Sequence, residues 1–193
     1  MTDTTRWSSG KTWSAAAAAV IPLLASLALG YFFRPNDWYF ALKKPCWMPP
    51  GWIFFVAWMI LYPLIGVAMV EANYNSTATG WIWILPIMNI ILSLMFSPVM
   101  FGFHSMVGGA IIVSICLVLG IAIMFQYCYT NHSATATWLM LPYVLWMILA
   151  NFFAWYILVK NYRGRTTCER DPPVIIRIPD MRCEQISTIC KPF

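Results

Sequence analysis

WYFALKKPCWMPPGWIFFVAWMILY, Trp38 to Tyr62, is the stretch that decides the fold. It sets Trp38, Trp47, Trp52 and Trp58 among Pro45, Pro49 and Pro50, with Lys43 and Lys44 at one edge. Indoles settle at the headgroup level of a bilayer, lysines reach for the aqueous side, and prolines end one segment and open the next. The stretch reads as an interfacial loop that runs into a membrane-crossing helix.

The rest of the chain agrees. Of its 193 residues 61% are hydrophobic and 10% charged, against about 25% charged in an ordinary globular domain. Between Pro45 and Val159 the only formal charge is Glu71. A charge at a bilayer centre costs about 2.5–3.5 kcal/mol, so this gap marks embedded chain. Five apolar segments stand out, at about 14–33, 51–70, 81–102, 107–128 and 138–159. Each is near the ~20 residues needed to cross about 30 Å of hydrocarbon. The expected fold is an all-α membrane protein, a five-transmembrane-helix bundle with a Trp/Pro-rich loop between the first two helices. The short breaks 71–80, 103–106 and 129–137 predict that sequential helices are antiparallel neighbours.

The chain divides into an N-terminal tail, 1–13, the helical domain, 14–162, and a polar tail, 163–193, too short to fold alone. Arg6, Lys11 and the Ala15–Ala19 run look like the start of a signal peptide. The apolar run continues to Phe33, beyond an h-region of about 7–15 residues, so a retained helix is expected. Basic residues set the orientation. Arg34, Lys43, Lys44, Lys160, Arg163 and Arg165 lie on the C-terminal side, and only Arg6 and Lys11 on the other. The positive-inside bias then places the C-terminus in the cytosol. Topology and attraction to anionic lipid account for the net charge of +5, and no nucleic-acid partner is called for.

Six cysteines form no CxxC pair, and His104 and His132 lie apart from any cysteine pair, so neither a metal site nor a cofactor is expected. Cys168, Cys183 and Cys190 fall in the tail, where cytosolic thiols stay reduced. The sequons at Asn75 and Asn131 sit in loops too short for a transferase and read as chance matches. The VIIRI run at 174–178 suits a short strand or a lipid-facing patch.

The embedded region lacks paired carboxylates, a Ser/His/Asp set and a metal cluster, which leaves acid–base, nucleophilic and metal-assisted mechanisms without parts. What it offers is π surface. Trp58 and Trp146 suit either packing or a flat aromatic ligand stacked between them. Tyr62 and Tyr143 suit a ligand's polar edge or a neighbouring carbonyl. Ala150 and Ala154 have a small-xxx-small spacing that permits close helix packing or a homodimer. Ser93 and Ser97 suit interhelical hydrogen bonds, and Pro86, Pro98 and Pro142 suit kinks or freed carbonyls. Glu71 reads as solvated at the interface, and His104 as a weak candidate haem ligand.

With its spacing the opening stretch reads Trp38-Tyr39, Leu42, Lys44-Pro45, Trp47, Pro49-Pro50, Trp52, Trp58, Leu61-Tyr62 and Gly66. Pro142-Tyr143-x-x-Trp146 and Phe101-Gly102 add to it. The pattern resembles the TspO family of translocator proteins over about residues 14–162. The resemblance implies a five-helix bundle that binds tetrapyrroles (protoporphyrin or haem) and, in animal members, cholesterol and synthetic aromatic ligands. It implies Trp47, Trp58, Tyr62, Tyr143, Trp146 and Ala150 as ligand contacts. It implies that the cavity opens toward the cytosolic side under the 34–50 loop. Some bacterial members degrade protoporphyrin in light, and the residues at the corresponding positions are Trp58 and Trp146. A purely structural role for the aromatics is the remaining alternative. Leu158, Tyr162 and Arg165 formally satisfy a sterol-associated pattern that is weak on any sequence. Animal relatives sit in the outer mitochondrial membrane, and that placement is expected here. Four positions depart from the family pattern: Ser93 and Leu94 replace an Asn-Trp pair, Gly108 a tryptophan that closes the pocket, and Ala154 an asparagine, with Asn151 one turn earlier. These departures predict that one wall of the pocket is rebuilt.

Overall fold

The computed structural model describes residues 9–74, 83–130 and 132–162. The helices are α1 (Ser9–Phe32), α2 (Asp37–Ala41), α3 (Gly51–Tyr74), α4 (Ile84–Ser97), α5 (Met106–Phe125) and α6 (Ala134–Tyr162). With their flanking turns, the five long ones are long and apolar enough to cross a membrane. The sequon asparagines Asn75 and Asn131, Arg165 and the rest of the tail lie outside the described residues.

Helix ends follow local chemistry. Asn36 opens α2, its Oδ1 accepting from Tyr39 N at 3.2 Å. Ser105 caps α5 by accepting from Gly108 N at 3.0 Å. Ser133 caps α6 by accepting from Ala136 N at 3.3 Å, so this helix starts at Ala134, four residues before the apolar run. Helix α3 continues through Glu71 to Tyr74, past the expected end at 70. Pro98 follows the last residue of α4. It opens a wide π turn, Pro98–Gly102, closed by Phe103 N donating to Pro98 O at 2.9 Å.

The long helices close into a ring. α1 packs on α3, α3 on α6, α6 on α5, α5 on α4, and α4 returns to α1. The second and third long helices are therefore not neighbours along their length, contrary to the expectation from short connections. α3 and α4 meet through side chains, as where the Tyr62 and Ser93 hydroxyls lie 3.2 Å apart.

The core occupies the half of the bundle away from the 34–50 loop. Leu61, Ile65, Ala68 and Ala72 of α3 meet Val113, Cys116 and Ile123 of α5 and Met140, Tyr143 and Met147 of α6. Those spacings of three, four and seven line one face of each helix. Outward faces carry exposed Val20, Ile21, Ile60, Ile91, Val118 and Leu145, as lipid contact requires. Gly66 sets the α1–α3 crossing: a Cβ there would stand 2.5 Å from the Ala18 carbonyl carbon. Only a residue without a side chain lets the two backbones approach so closely.

Candidate functional site

The loop half of the bundle is hollow. A cavity of about 810 Å³ is lined by residues of all five long helices, the π turn and the loop. A second cluster fastens the loop above it: Trp38, Tyr39, Leu42 and Met48 pack on Met100, Met106, Ile157 and Leu158. Polar contacts pin the loop at both ends. Asn161 at the end of α6 accepts from Lys43 N at 2.9 Å and donates to Lys43 O at 3.0 Å. Asn36 donates its amide to Phe101 O at 3.3 Å and to His104 Nε2 at 2.7 Å. His104, at a left-handed φ of 53°, also packs edge-on against Trp38 at 4.8 Å. It does not line the cavity, so its geometry does not fit a haem ligand there.

Trp58 and Trp146 both line the cavity. Trp58 stacks on Tyr62, 4.9 Å between centroids and 28° between planes, so one indole face is already covered. Ser93 gives its hydroxyl hydrogen to Ile90 O at 2.8 Å, which makes Tyr62 the donor in their 3.2 Å contact. Trp146 packs edge-on against Phe54 at 5.4 Å. Its indole N–H is buried and has no acceptor among the described residues. Leaving a buried donor unpaired costs about 1–3 kcal/mol.

The other expected contacts divide. Ala150 lines the cavity, and so does Ala154, one turn further on. Tyr62 lies behind, on a polar side chamber of about 50 Å³ with Ser26, Ser93, Leu94 and Ser97, roomy enough for about one or two waters. Tyr143 is fully buried below the cavity and donates to Asn89 Oδ1 at 2.9 Å. Trp47 turns outward, 59% exposed, and packs on Phe152 and Phe153 at 5.3 and 5.0 Å. Leu158 is buried in the loop-fastening cluster and Tyr162 is exposed, so the two present no common face to a membrane sterol.

Ser93 and Leu94, smaller than an Asn-Trp pair, line the side chamber. At Gly108 a Cβ would stand 2.6 Å from Val99 Cγ1, so Val99 occupies the space a larger residue would need. The buried amide of Asn89, one turn before Ser93, went unnoticed in the sequence, although a lone asparagine within Ile84–Leu92 was the signal. Asn151 lies on the α5–α6 seam, accepting from Ser114 Oγ at 3.3 Å. Also unanticipated is the inward turn of Lys44. Its ammonium lies 3.9 Å above the Tyr39 ring, while its neighbour Lys43 is exposed. Burial pulls the Lys44 pKa down and pushes that of Tyr39 up.

Comparison with known proteins matches this architecture. The TspO/MBR family model covers residues 18–160. Protein CrtK of Rhodobacter capsulatus is 34% identical over 139 residues, 66% of this chain and 82% of its own length. The uncharacterized membrane protein YtaB of Bacillus subtilis is 32% identical over 155 residues, 78% of this chain and 98% of its own. The human translocator protein is 27% identical over 138 residues, 61% of this chain and 73% of its own. A ring of five membrane-length helices, a Trp/Pro-rich loop fastened across one end and a family match over 18–160 together place this chain in the TspO/MBR family.

Proposed function

We propose that the protein binds a flat polycyclic ligand, a tetrapyrrole (protoporphyrin or haem) or a sterol, in the cavity beneath the 34–50 loop, for its transport, sensing or handling. The observation that carries this reading is the cavity itself. Its volume of about 810 Å³ falls in the range of small-molecule sites, about 300–1,000 Å³. Its wall is apolar and aromatic, with Trp58, Trp146, Phe54 and Phe96 in it. Stacking on such rings contributes about 0.5–1.5 kcal/mol per pair beyond area burial. A structural role alone would favour filling this volume with side chains, because packing contacts are lost around a void.

The test is quenching of tryptophan fluorescence by protoporphyrin IX on the purified protein. Saturable quenching is expected, weakened at least about fivefold in Trp58→Ala/Trp146→Ala, the loss of two stacking contacts. Unchanged quenching in that double variant would refute the site.

The same reading places the loop end of the bundle on the cytosolic side, because Arg34, Lys43, Lys44 and Lys160 gather there. The family's animal members support an outer-mitochondrial-membrane location. Protease protection of a C-terminal epitope tag and organelle fractionation check both statements.

A further inference from the structure

We propose that Arg34 and Lys44 form an acid-receiving subsite at the cavity mouth, and that the preferred ligand is a polycyclic amphiphile carrying a carboxylate at that end. The proposal rests on the cavity being the ligand site and adds the class of molecule it selects.

The cavity wall is chemically one-sided. Among the described residues that line it, Arg34 and Lys44 are the only charged ones, and both are cations. The deeper wall offers only weakly polar groups, among them Ser26, Ser93, Ser97 and the Trp146 indole. A ligand matching this distribution has an apolar, aromatic body and a negative charge at one end.

Both cations are positioned rather than loose. Lys44 is half-buried, with Nζ 3.9 Å above the Tyr39 ring centroid and 5.3 Å from that of Phe40. Arg34 lies with Cζ 4.4 Å over the Tyr31 ring, and its Nε donates to Tyr31 O at 3.1 Å. Neither is paired with a carboxylate among the described residues. A ring face engages one side of an ammonium and leaves N–H donors on the other. The two terminal nitrogens of Arg34 keep the planar fork that suits a carboxylate. An anion arriving at the mouth therefore meets a half-buried Lys44 ammonium already held against two rings, and an exposed Arg34 anchored through its Nε to Tyr31 O. A neutral sterol offers this pair at most a hydroxyl acceptor, without the charge of a carboxylate. Anionic headgroups share the chemistry and are the competing source. The two cations line the cavity itself, which favours a ligand held inside over a lipid held outside.

The experiment compares protoporphyrin IX with its dimethyl ester, which keeps the ring and removes both acids. Affinities are read from tryptophan quenching in phosphatidylcholine nanodiscs. The acid is expected to bind about tenfold more tightly than the ester, as charge-assisted contacts in a partly screened site allow. In Arg34→Gln/Lys44→Gln that ratio should fall to about one or two. In Lys43→Gln, whose lysine does not line the cavity, it should stay near the original value; this controls for the loss of a loop charge outside the cavity. Equal binding of acid and ester by the unaltered protein would overturn the subsite while leaving the cavity reading in place. So would a ratio that survives in the double variant. A ratio abolished by replacing a fifth of the lipid with phosphatidylserine would assign the cations to headgroups and overturn the proposal. Absence of saturable binding by either compound would remove the cavity reading, and the subsite with it.

Discussion

The α1–α3 crossing is the most exacting contact in the bundle, and Gly66→Ala tests it. The added Cβ would stand 2.5 Å from the Ala18 carbonyl carbon and 2.6 Å from both Ala18 O and Ala19 N. Carbon atoms in contact prefer about 3.5–4.0 Å. All three neighbours are backbone atoms, so no rotamer change relieves the clash, and α1 must retreat by about 1 Å. Overpacking of this kind costs about 1–3 kcal/mol. For a chain of this size each kcal/mol shifts Tm by roughly 2–4 °C, which gives a fall of about 2–12 °C. Gly30 is the internal control. It lies on α1, the other helix of this crossing, and lines the cavity, and nothing stands within 4 Å of its Cβ position. Gly30→Ala should leave Tm unchanged or raise it slightly, since alanine is the better helix former. Thermal unfolding of both variants in one detergent reads the difference. Because α1 lines the cavity through Leu23, Ser26 and Leu27, Gly66→Ala should also weaken porphyrin quenching, severalfold. A Gly66→Ala protein that melts with the unaltered one, or a Gly30→Ala protein that melts below it, would refute the crossing geometry.

Two further outcomes follow from the loop. Asn161→Ala removes both bonds that clamp the Lys43 backbone to the end of α6. At about 0.5–1.5 kcal/mol per bond, amide exchange at Lys43 should accelerate about fivefold or more, with little change at Tyr143; an unchanged Lys43 rate would show that the clamp is not formed. The second outcome concerns pH. Burial lowers the Lys44 pKa below its ordinary value of 10.5, so the folded chain sheds this proton before the unfolded chain does. Between the lowered pKa and about pH 10 the unfolded state holds more protons at this site, and its contribution to stability rises with pH. Acid binding moves the other way. The preference for protoporphyrin over its ester should decline through the same interval as the ammonium is lost, with Arg34 retaining part of it. A preference that stays flat to pH 10 in unaltered protein would exclude Lys44 from the subsite.

The membrane class and the helix count were legible because they depend on local quantities. A charge gap from Pro45 to Val159 and five apolar runs of near-spanning length leave a chain few alternatives in a bilayer. Helix ends were less legible. Glu71 looked like the start of a loop, yet α3 runs on to Tyr74; Ala134–Thr137 looked polar, yet Ser133 and the Ala136 amide start a helix there. One or two hydrogen bonds decide such ends, and hydropathy does not register them.

By itself the sequence determined that this chain is a five-helix membrane bundle of TspO type. Only the tertiary structure decided how the helices close into a ring with α6 beside α3, and which loop side chains point inward. It placed Trp47 outside and Lys44 at the cavity mouth, although both belong to the same Trp/Pro/Lys loop. It also gave Asn89 a buried partner in Tyr143, 54 residues away. The physical reason is the range of the forces involved. Transfer of a segment into lipid is a sum over its own residues. The direction of a loop side chain depends on surfaces brought together from distant parts of the chain, here Phe152 and Phe153 for Trp47 and the Tyr39 ring for Lys44.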